Sequence, residues 1–230
     1  MSFSTKALKE FITEMVEQAI SEAAKQPDDA EASGFALSVA KNGKYVYLIL
    51  YESAGLEQLC DEMAKQPGHL SIDGKLDSVL YMSPNPVVGY IRLENDDCGW
   101  VLRNSAANKG YGPMMHDVAL SYVGKKGVLP DRESHTEASR KVWRYYALKR
   151  NAEVRFYPLS EDDPCAVYQD DPDARFLDAR YSMRNPNLGM VQSLIAKGDQ
   201  VTQAIKQKTQ LPMDELFRRL GSFFFDQMYQ

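Results

Sequence analysis

The sequence lacks long apolar runs and has few of the residues that bind metals or form cross-links. No run reaches the roughly 18 apolar residues that span a membrane, and charges interrupt the first helix-like stretch, so we expect neither a membrane span nor a signal peptide. The three cysteines, Cys60, Cys98 and Cys165, are odd in number and form no C-x-x-C pair, so we expect buried thiols. The three histidines are dispersed, so no metal site is predicted. These absences predict a cytoplasmic protein without a metal.

The composition predicts a folded chain with one core. Of its 230 residues 44% are hydrophobic, and they include 13 Tyr and 9 Phe. Residues 103–155 carry eleven Lys and Arg against five Asp and Glu, whereas the remainder has a net charge of −11. This asymmetry favours a local anionic ligand over a broad nucleic-acid surface; solvated helix faces are the alternative interpretation.

Apolar periodicity and turn residues divide the chain into helices and hairpins. Helices are predicted at 5–25, 56–65, 113–123, 135–150 and 188–205, with a last one opened by Pro212. Two hairpins are predicted, one pairing 34–39 with 45–51 and the other pairing 87–93 with 99–104. The segment 67–86 is predicted to be a loop that contains a short strand at 78–82, and a further strand is predicted at 154–159.

A change in composition near residue 160 predicts two parts. Residues 1–160 form the predicted core, and residues 161–230 form an acidic linker followed by C-terminal helices that pack on the core or on a partner. The run Phe223–Phe225 is either a buried clasp or a contact with a second chain, so a homo-oligomer formed through these helices is one possibility.

A glycine-rich turn is the most informative local feature. The predicted strand from Gly99 leads into Lys109-Gly110-Tyr111-Gly112, and Pro113 then stands where its missing amide costs nothing at a helix start. Free N–H groups and the positive end of the helix dipole bind phosphate, and glycine lets an anion come close. The alternative interpretation is a tight connection without a ligand.

This strand, loop and helix resemble the GNAT superfamily of N-acyltransferases over about Val87 to Leu159. The resemblance implies an α+β (α/β) fold, with a mixed, mostly antiparallel sheet flanked by helices and, here, an added C-terminal helical segment. It implies acetyl-CoA as co-substrate. Ala107 departs from the family pattern, which has Gln or Arg at this place. The implied acetyl-CoA contacts are the strand residues Val101, Leu102, Arg103 and Asn104, the loop residues Lys109, Gly110, Tyr111, Gly112, Met114 and Met115, and the guanidinium groups of Arg132, Arg140 and Arg144.

The second helix of the resembling region carries the candidate catalytic groups. Ser134 and Glu137 are spaced as a capping box, and Tyr146 continues an apolar edge at four-residue steps. The resemblance implies that a tyrosine protonates the CoA thiolate, and we expect Tyr146 first and Tyr145 second; a packed aromatic is the alternative.

The general base is less visible in the sequence. Asp131, between the two helices, is the candidate, the alternative being a pair with Arg132 or a turn cap. Glu94 and Ser105 are poorer candidates, and His116 is expected to face solvent or a neighbouring carbonyl.

Together these features predict an enzyme, an N-acetyltransferase that moves an acetyl group from acetyl-CoA to an amine acceptor, either a small molecule or a protein. One alternative is a catalytically inactive GNAT-fold protein that acts as an interaction module. A further alternative is phage-type modification of a nucleic-acid base, which the −11 charge outside residues 103–155 disfavours. No membrane partner is expected.

Overall fold

The structure, a computed structural model, describes residues 34–80, 83–133, 135–168 and 170–229. These residues form an α+β fold in which helices flank an open seven-stranded, mostly antiparallel sheet, and this confirms the predicted fold class. The helix predicted at residues 5–25 lies outside the described residues.

The described residues contain seven strands, seven α-helices and one short 3-10 turn. The strands are β1 (Phe35–Asn42), β2 (Tyr45–Glu52), β3 (Val87–Asp96), β4 (Gly99–Ala107), β5 (Val128–Leu129), β6 (Val154–Pro158) and β7 (Ala179–Met183). The helices are α1 (Ser53–Lys65), α2 (Ile72–Leu80), α3 (Gly112–Val123), α4 (Glu137–Lys149), α5 (Ala174–Leu177), α6 (Leu188–Thr209) and α7 (Met213–Met228).

The strands lie in the order β1-β2-β3-β4-β5-β7-β6. Both predicted hairpins are confirmed, and each turns at a glycine with positive φ, Gly43 at 58° and Gly99 at 95°. β4 and β5 run parallel because α3 carries the chain back between them. β7 enters the sheet between β5 and β6 and is antiparallel to both.

Helices cover both faces of the sheet, and each face has its own core. Alternation along β2 sends Leu48 and Leu50 towards α3 and α4, and Tyr47, Ile49 and Tyr51 towards α1 and α7. The C-terminal helices therefore pack on the sheet. Within the phenylalanine run, Phe224 is buried and Phe225 packs on Tyr90. β7 lies beyond the predicted boundary at residue 160 and is nevertheless a strand of the same sheet.

Two segments predicted as loops contain regular structure. Residues 67–86 hold α2 in place of the predicted strand at 78–82, because Leu76 and Val79, three residues apart, are both buried against α1 and α7. The acidic segment after residue 160 contains α5 and β7, whose alternate residues Ala179 and Tyr181 are fully buried.

The expectation of three unpaired cysteines is wrong for two of them. Cys98, in the β3–β4 turn, forms a disulfide with Cys165, and their Cα atoms are 5.8 Å apart. The two cysteines are 67 residues apart in the chain, so only the folded sheet brings them together. Cys60 is a buried free thiol, as expected.

Replacing Gly198 with alanine should destabilise the packing of α6 on β1. An added Cβ would stand 2.2 Å from the Leu37 carbonyl oxygen and 2.8 Å from its carbon, both main-chain atoms of a central layer. We expect urea denaturation to report a loss of about 1–3 kcal/mol or more in the free energy of unfolding. Gly189→Ala in the same helix, where an added Cβ meets no atom within 4 Å, is the control and should leave it unchanged. Equal urea midpoints for Gly198→Ala and Gly189→Ala would contradict the close approach of Gly198 to the Leu37 main chain.

Candidate active site between β4 and helices α3 and α4

β4 and β5 separate after two paired positions. Trp100 pairs with Val128 and Val101 with Leu129, and β5 then ends before Pro130, which has no amide hydrogen to donate. β4 continues to Ala107, so its second half has no β5 residues opposite it. One edge of β4 is therefore left open on the side of α3 and α4.

A β-bulge in β4 lies at the point of separation. Arg92 of β3 faces Asn104 and Leu93 faces Leu102, which leaves Arg103 as the extra residue. The Arg103 guanidinium reaches across the gap, with Nη1 2.9 Å from Asp131 Oδ1, and Nε donates to Glu94 at 2.5 Å. Asp131, the predicted base, is thus an ion-pair partner of Arg103, a residue on another strand.

The open edge of β4 presents main-chain groups of alternate residues. The Asn108 amide donates to Val88 of β3 at 2.9 Å, so the alternation of a strand directs Ser105 and Ala107 away from β3. The Ser105 carbonyl accepts a 3.0 Å hydrogen bond from the Tyr229 hydroxyl, at the end of α7. The edge can therefore bind an extended ligand once this hydroxyl is displaced.

The first turn of α3 follows directly from this edge. Gly110 has φ 91°, which glycine adopts readily. The Tyr111 amide donates to Asn108 and the Met115 amide to Tyr111, so two of the five predicted phosphate donors are used within the loop. In the part of the chain that the structure describes, the amides of Gly110, Gly112 and Met114 have no hydrogen-bond acceptor. A Cβ built on Gly112 meets no atom of the described residues within 4 Å, so this helix end is open with respect to them.

A cavity of about 260 Å³ lies where the β4 edge and the α3 start meet α4. Its walls are mostly small, apolar or hydroxyl side chains, with one imidazole. They come from Ser105, Ala106, Ala107, Gly112, Met115, His116, Thr136, Ala138, Ser139, Val142, Met228 and Tyr229. The predicted apolar edge of α4 thus divides, with Ala138 and Val142 facing the cavity and Tyr146 buried beyond it.

The cap of α4 differs from the predicted capping box. The N-cap residue is Thr136, whose Oγ1 accepts from the Ser139 amide at 3.1 Å. The helix therefore begins at Glu137, which stands in its first turn and does not serve as the third residue of a box. Ser134 lies outside the described residues.

His116 is a cavity residue that the sequence did not single out. Its side chain is buried, with Nδ1 2.9 Å from the Gly112 carbonyl oxygen and the ring edge-on to Trp143. The carbonyl contact was expected, but the contact with a cavity becomes visible only when α4 and β4 are packed around the ring. Burial lowers the pKa of His116 below its ordinary value, so the neutral ring donates from Nδ1 and carries its lone pair on Nε2.

The two candidate tyrosines lie behind the cavity wall. The buried Tyr146 hydroxyl is 2.9 Å from the Pro113 carbonyl oxygen and 2.5 Å from Asp117 Oδ1, so it can give its proton to either acceptor. Burial raises the pKa of Tyr146 well above its ordinary value. Tyr145 packs edge-on against Tyr146, and neither tyrosine is among the cavity-lining residues. Tyr146 therefore joins α4 to the first turn of α3.

The predicted phosphate-binding arginines are paired with acidic residues. Arg140 donates to Asp171 at 2.6 Å, and Arg144 donates to Asp173 at 2.5 Å. The third, Arg132, donates to Asp178 at 3.1 Å and to three main-chain carbonyls, those of Pro130, Cys165 and Leu177. Lys109 is exposed and has no ion-pair partner among the described residues. It is thus the cation nearest in sequence to the free amides of α3.

The remaining predicted contact residues lie along β4. Val101 and Leu102 are buried and Asn104 is partly exposed. Val101 still pairs with Leu129 of β5 and Asn104 faces Arg92 of β3, so neither lies on the open edge that Ser105 and Ala107 present. Within residues 34–80, 83–133, 135–168 and 170–229, no group of His, Cys, Asp and Glu is arranged to hold a metal. In the same residues, no helix is both long and apolar enough to cross a membrane. Comparison of the chain with protein-family models, curated proteins and solved structures gives no match.

Replacing Tyr146 with phenylalanine should loosen the start of α3. Asp117 would lose a buried hydrogen-bond donor, and we expect the free energy of unfolding to fall by about 1–3 kcal/mol in a denaturant titration. Tyr145→Phe is the matched control, because the neighbouring ring packs without a hydroxyl contact to Asp117. A Tyr146→Phe protein as stable as Tyr145→Phe would show that this hydroxyl does not support α3.

Proposed function

We propose that this chain is an acyl-CoA-dependent N-acyltransferase that moves an acetyl group from acetyl-CoA to an amine. One observation carries the proposal: the open edge of β4 and the open N-terminus of α3 meet at the same cavity. A diverging strand pair followed by a glycine loop also supports the sequence resemblance to the GNAT superfamily.

The chemistry of CoA matches these two main-chain surfaces. The pantetheine arm carries amide groups that can pair with a free strand edge as an added strand does, and Ser105 and Ala107 present that edge. The pyrophosphate suits the amides of Gly110, Gly112 and Met114, with Lys109 adding positive charge. A cavity of about 260 Å³ is smaller than the roughly 300–1,000 Å³ of sites for drug-sized ligands. It therefore suits the pantetheine arm, and the nucleotide would lie outside.

The proposed reaction is direct attack by a neutral amine on the thioester carbonyl. A C–N bond forms, the C–S bond breaks, and the thiolate takes a proton from water or from a hydroxyl of the cavity wall. The bulge at Arg103 leaves main-chain groups of β4 out of register with β3, where an amide can stabilise the oxyanion. Tyr146 and Tyr145 remain sequence-based hypotheses for the proton donor; their place behind the wall favours an indirect role for Tyr146 through the position of α3.

A catalytically inactive interaction module is the second candidate. It is favoured by the pairing of Arg140 and Arg144 with carboxylates, which removes two of the predicted phosphate contacts. The same pairing reduces the positive surface that nucleic acid would need, so base modification is not proposed. Binding of CoA without transfer to any amine would select this second candidate.

Isothermal titration with acetyl-CoA tests the proposed site through Gly112. Gly112→Val adds bulk in open space, so the fold should tolerate it while the side chain blocks the amides of α3. We expect wild-type protein to bind acetyl-CoA and the variant to bind at least about tenfold more weakly. Gly189→Val, in the first turn of α6 and equally unobstructed, is the control. If the titration detects no binding of either acetyl-CoA or CoA to the wild-type protein, the proposal is refuted.

Removing the Tyr229 hydroxyl should strengthen acetyl-CoA binding. This hydroxyl occupies the Ser105 carbonyl, which the ligand has to take over. Because one hydrogen bond contributes about 1 kcal/mol, Tyr229→Phe should lower the Kd by about fivefold in the same titration. Tyr157→Phe is the control, since both tyrosines are 52% exposed and Tyr157 lies on β6 at the edge of the sheet. A higher Kd for Tyr229→Phe, which means weaker binding, would show that the hydroxyl contacts the ligand and does not compete with it.

A further inference from the structure

His116 is the one imidazole in the wall of the cavity, and the proposed reaction requires a proton acceptor. Its side chain is 4% exposed, and the cavity is one of the surfaces it meets. The Nδ1 contact with the Gly112 carbonyl, at 2.9 Å, requires a proton on Nδ1 because a carbonyl oxygen only accepts. This contact fixes the tautomer, and no hydrogen bond to Nε2 is found within the described residues.

The charged groups around His116 leave the imidazole available. On α3 the neighbouring Asp117 is engaged by Arg150, at 2.6 and 2.7 Å, and by the Tyr146 hydroxyl. On α4 the ring meets Trp143 and Tyr146, with centroids 5.4 and 6.1 Å away. Tyr229 lines the same cavity and bonds Ser105. No carboxylate lines the cavity among the described residues, so the imidazole is the strongest proton acceptor among the side chains of the wall.

The sequence-based candidate base is placed less well. Asp131 Oδ1 accepts from Arg103 at 2.9 Å and from the Glu133 amide at 3.1 Å, and it is not among the cavity-lining residues. Asp131 Oδ1 is thus occupied by a guanidinium and a main-chain amide, and Asp131 is engaged outside the cavity wall. Asp131 therefore holds the diverging strands together through Arg103.

We propose that His116 is the general base of the acyl transfer, with Nε2 accepting the proton that the amine loses as its nitrogen bonds to the thioester carbon. This inference rests on the proposed function. The proton moves from nitrogen to Nε2, the C–N bond forms, and the C–S electron pair leaves with the CoA sulfur. The imidazolium that results is stabilised by the Gly112 carbonyl on Nδ1, at the start of the same helix.

The pH dependence follows from the burial of His116. Its pKa lies below the ordinary 6.5, so Nε2 is unprotonated at neutral pH and loses its lone pair only when the pH falls through that lower pKa. With an acceptor amine that is itself unprotonated over this range, such as an arylamine, the rate with acetyl-CoA should therefore be flat near neutrality and fall on the acid side below about pH 6.5.

The kinetic test compares His116→Asn, which can still donate to Gly112, with His135→Asn. His135 is also partly buried with a lowered pKa, but it does not line the cavity. CoA thiol release is followed over the pH range with an arylamine acceptor, which stays unprotonated there, and at neutral pH with spermidine, free amino acids and lysine peptides. His116→Asn should lower kcat by about 10²- to 10⁴-fold and leave the KM for acetyl-CoA unchanged. It should also abolish the acid limb, which is the fall in rate on the acid side of the pH profile. An acid limb that survives in His116→Asn would overturn the proposal.

A chemical test does not depend on turnover. Diethyl pyrocarbonate should acylate His116 through the cavity, and CoA should protect His116 while the exposed His69 continues to react. Peptide mass mapping reads each histidine separately. Binding of acetyl-CoA by calorimetry without protection of His116 overturns the base assignment and leaves the proposed function intact. Absence of acetyl-CoA binding overturns both.

Discussion

The early separation of β5 from β4 is the constraint on which the candidate site depends. Two paired residues suffice to bring α3 back across the sheet, and Pro130 then ends the pairing. The bulge at Arg103 and its ion pair with Asp131 hold the strands at this divergence. Had β5 continued along β4, its main chain would have covered Ser105 and Ala107, and neither an open edge nor a cavity would exist.

Charge in this molecule is balanced between segments that are distant in the sequence. The net positive charge of residues 103–155 indicates an anionic ligand, yet the acidic segment that follows supplies Asp171, Asp173 and Asp178 to three of its arginines. The Cys98–Cys165 disulfide fastens that segment to the β3–β4 turn. What remains for an anion is the main chain of α3, with Lys109 beside it. Since partly buried pairs are screened less than exposed charges, these arginines are held more firmly than surface ions.

The sequence predicts the features that local chemistry determines. Both hairpins, the glycine loop and the two C-terminal helices follow from turn residues and apolar spacing, whereas the packing of those helices on the sheet was one of two options. The features it misses depend on long-range contacts: α2 is short and buries only Leu76 and Val79, β7 is short and follows an Asp-rich segment, and the disulfide joins cysteines 67 residues apart. The difference between local and long-range contacts also decides which parts of the candidate site the sequence predicts. A main-chain anion site is visible from its glycines, whereas the partner of Asp131 and the surroundings of His116 are set by other strands and helices.

Ala107 stands where the pattern of the GNAT superfamily, which the sequence resembles, has Gln or Arg, and its small side chain affects the volume of the cavity. Ala107 lines the cavity together with Ser105, Ala106 and Ala138, all of them small. A glutamine or arginine at this position would extend from the open edge of β4 towards α4 and fill part of the space. The absence of a long side chain at Ala107 therefore leaves this part of the cavity open. The binding that we propose depends on main-chain groups and shape, so the one imidazole in the wall is left as the group that can accept the proton of the amine.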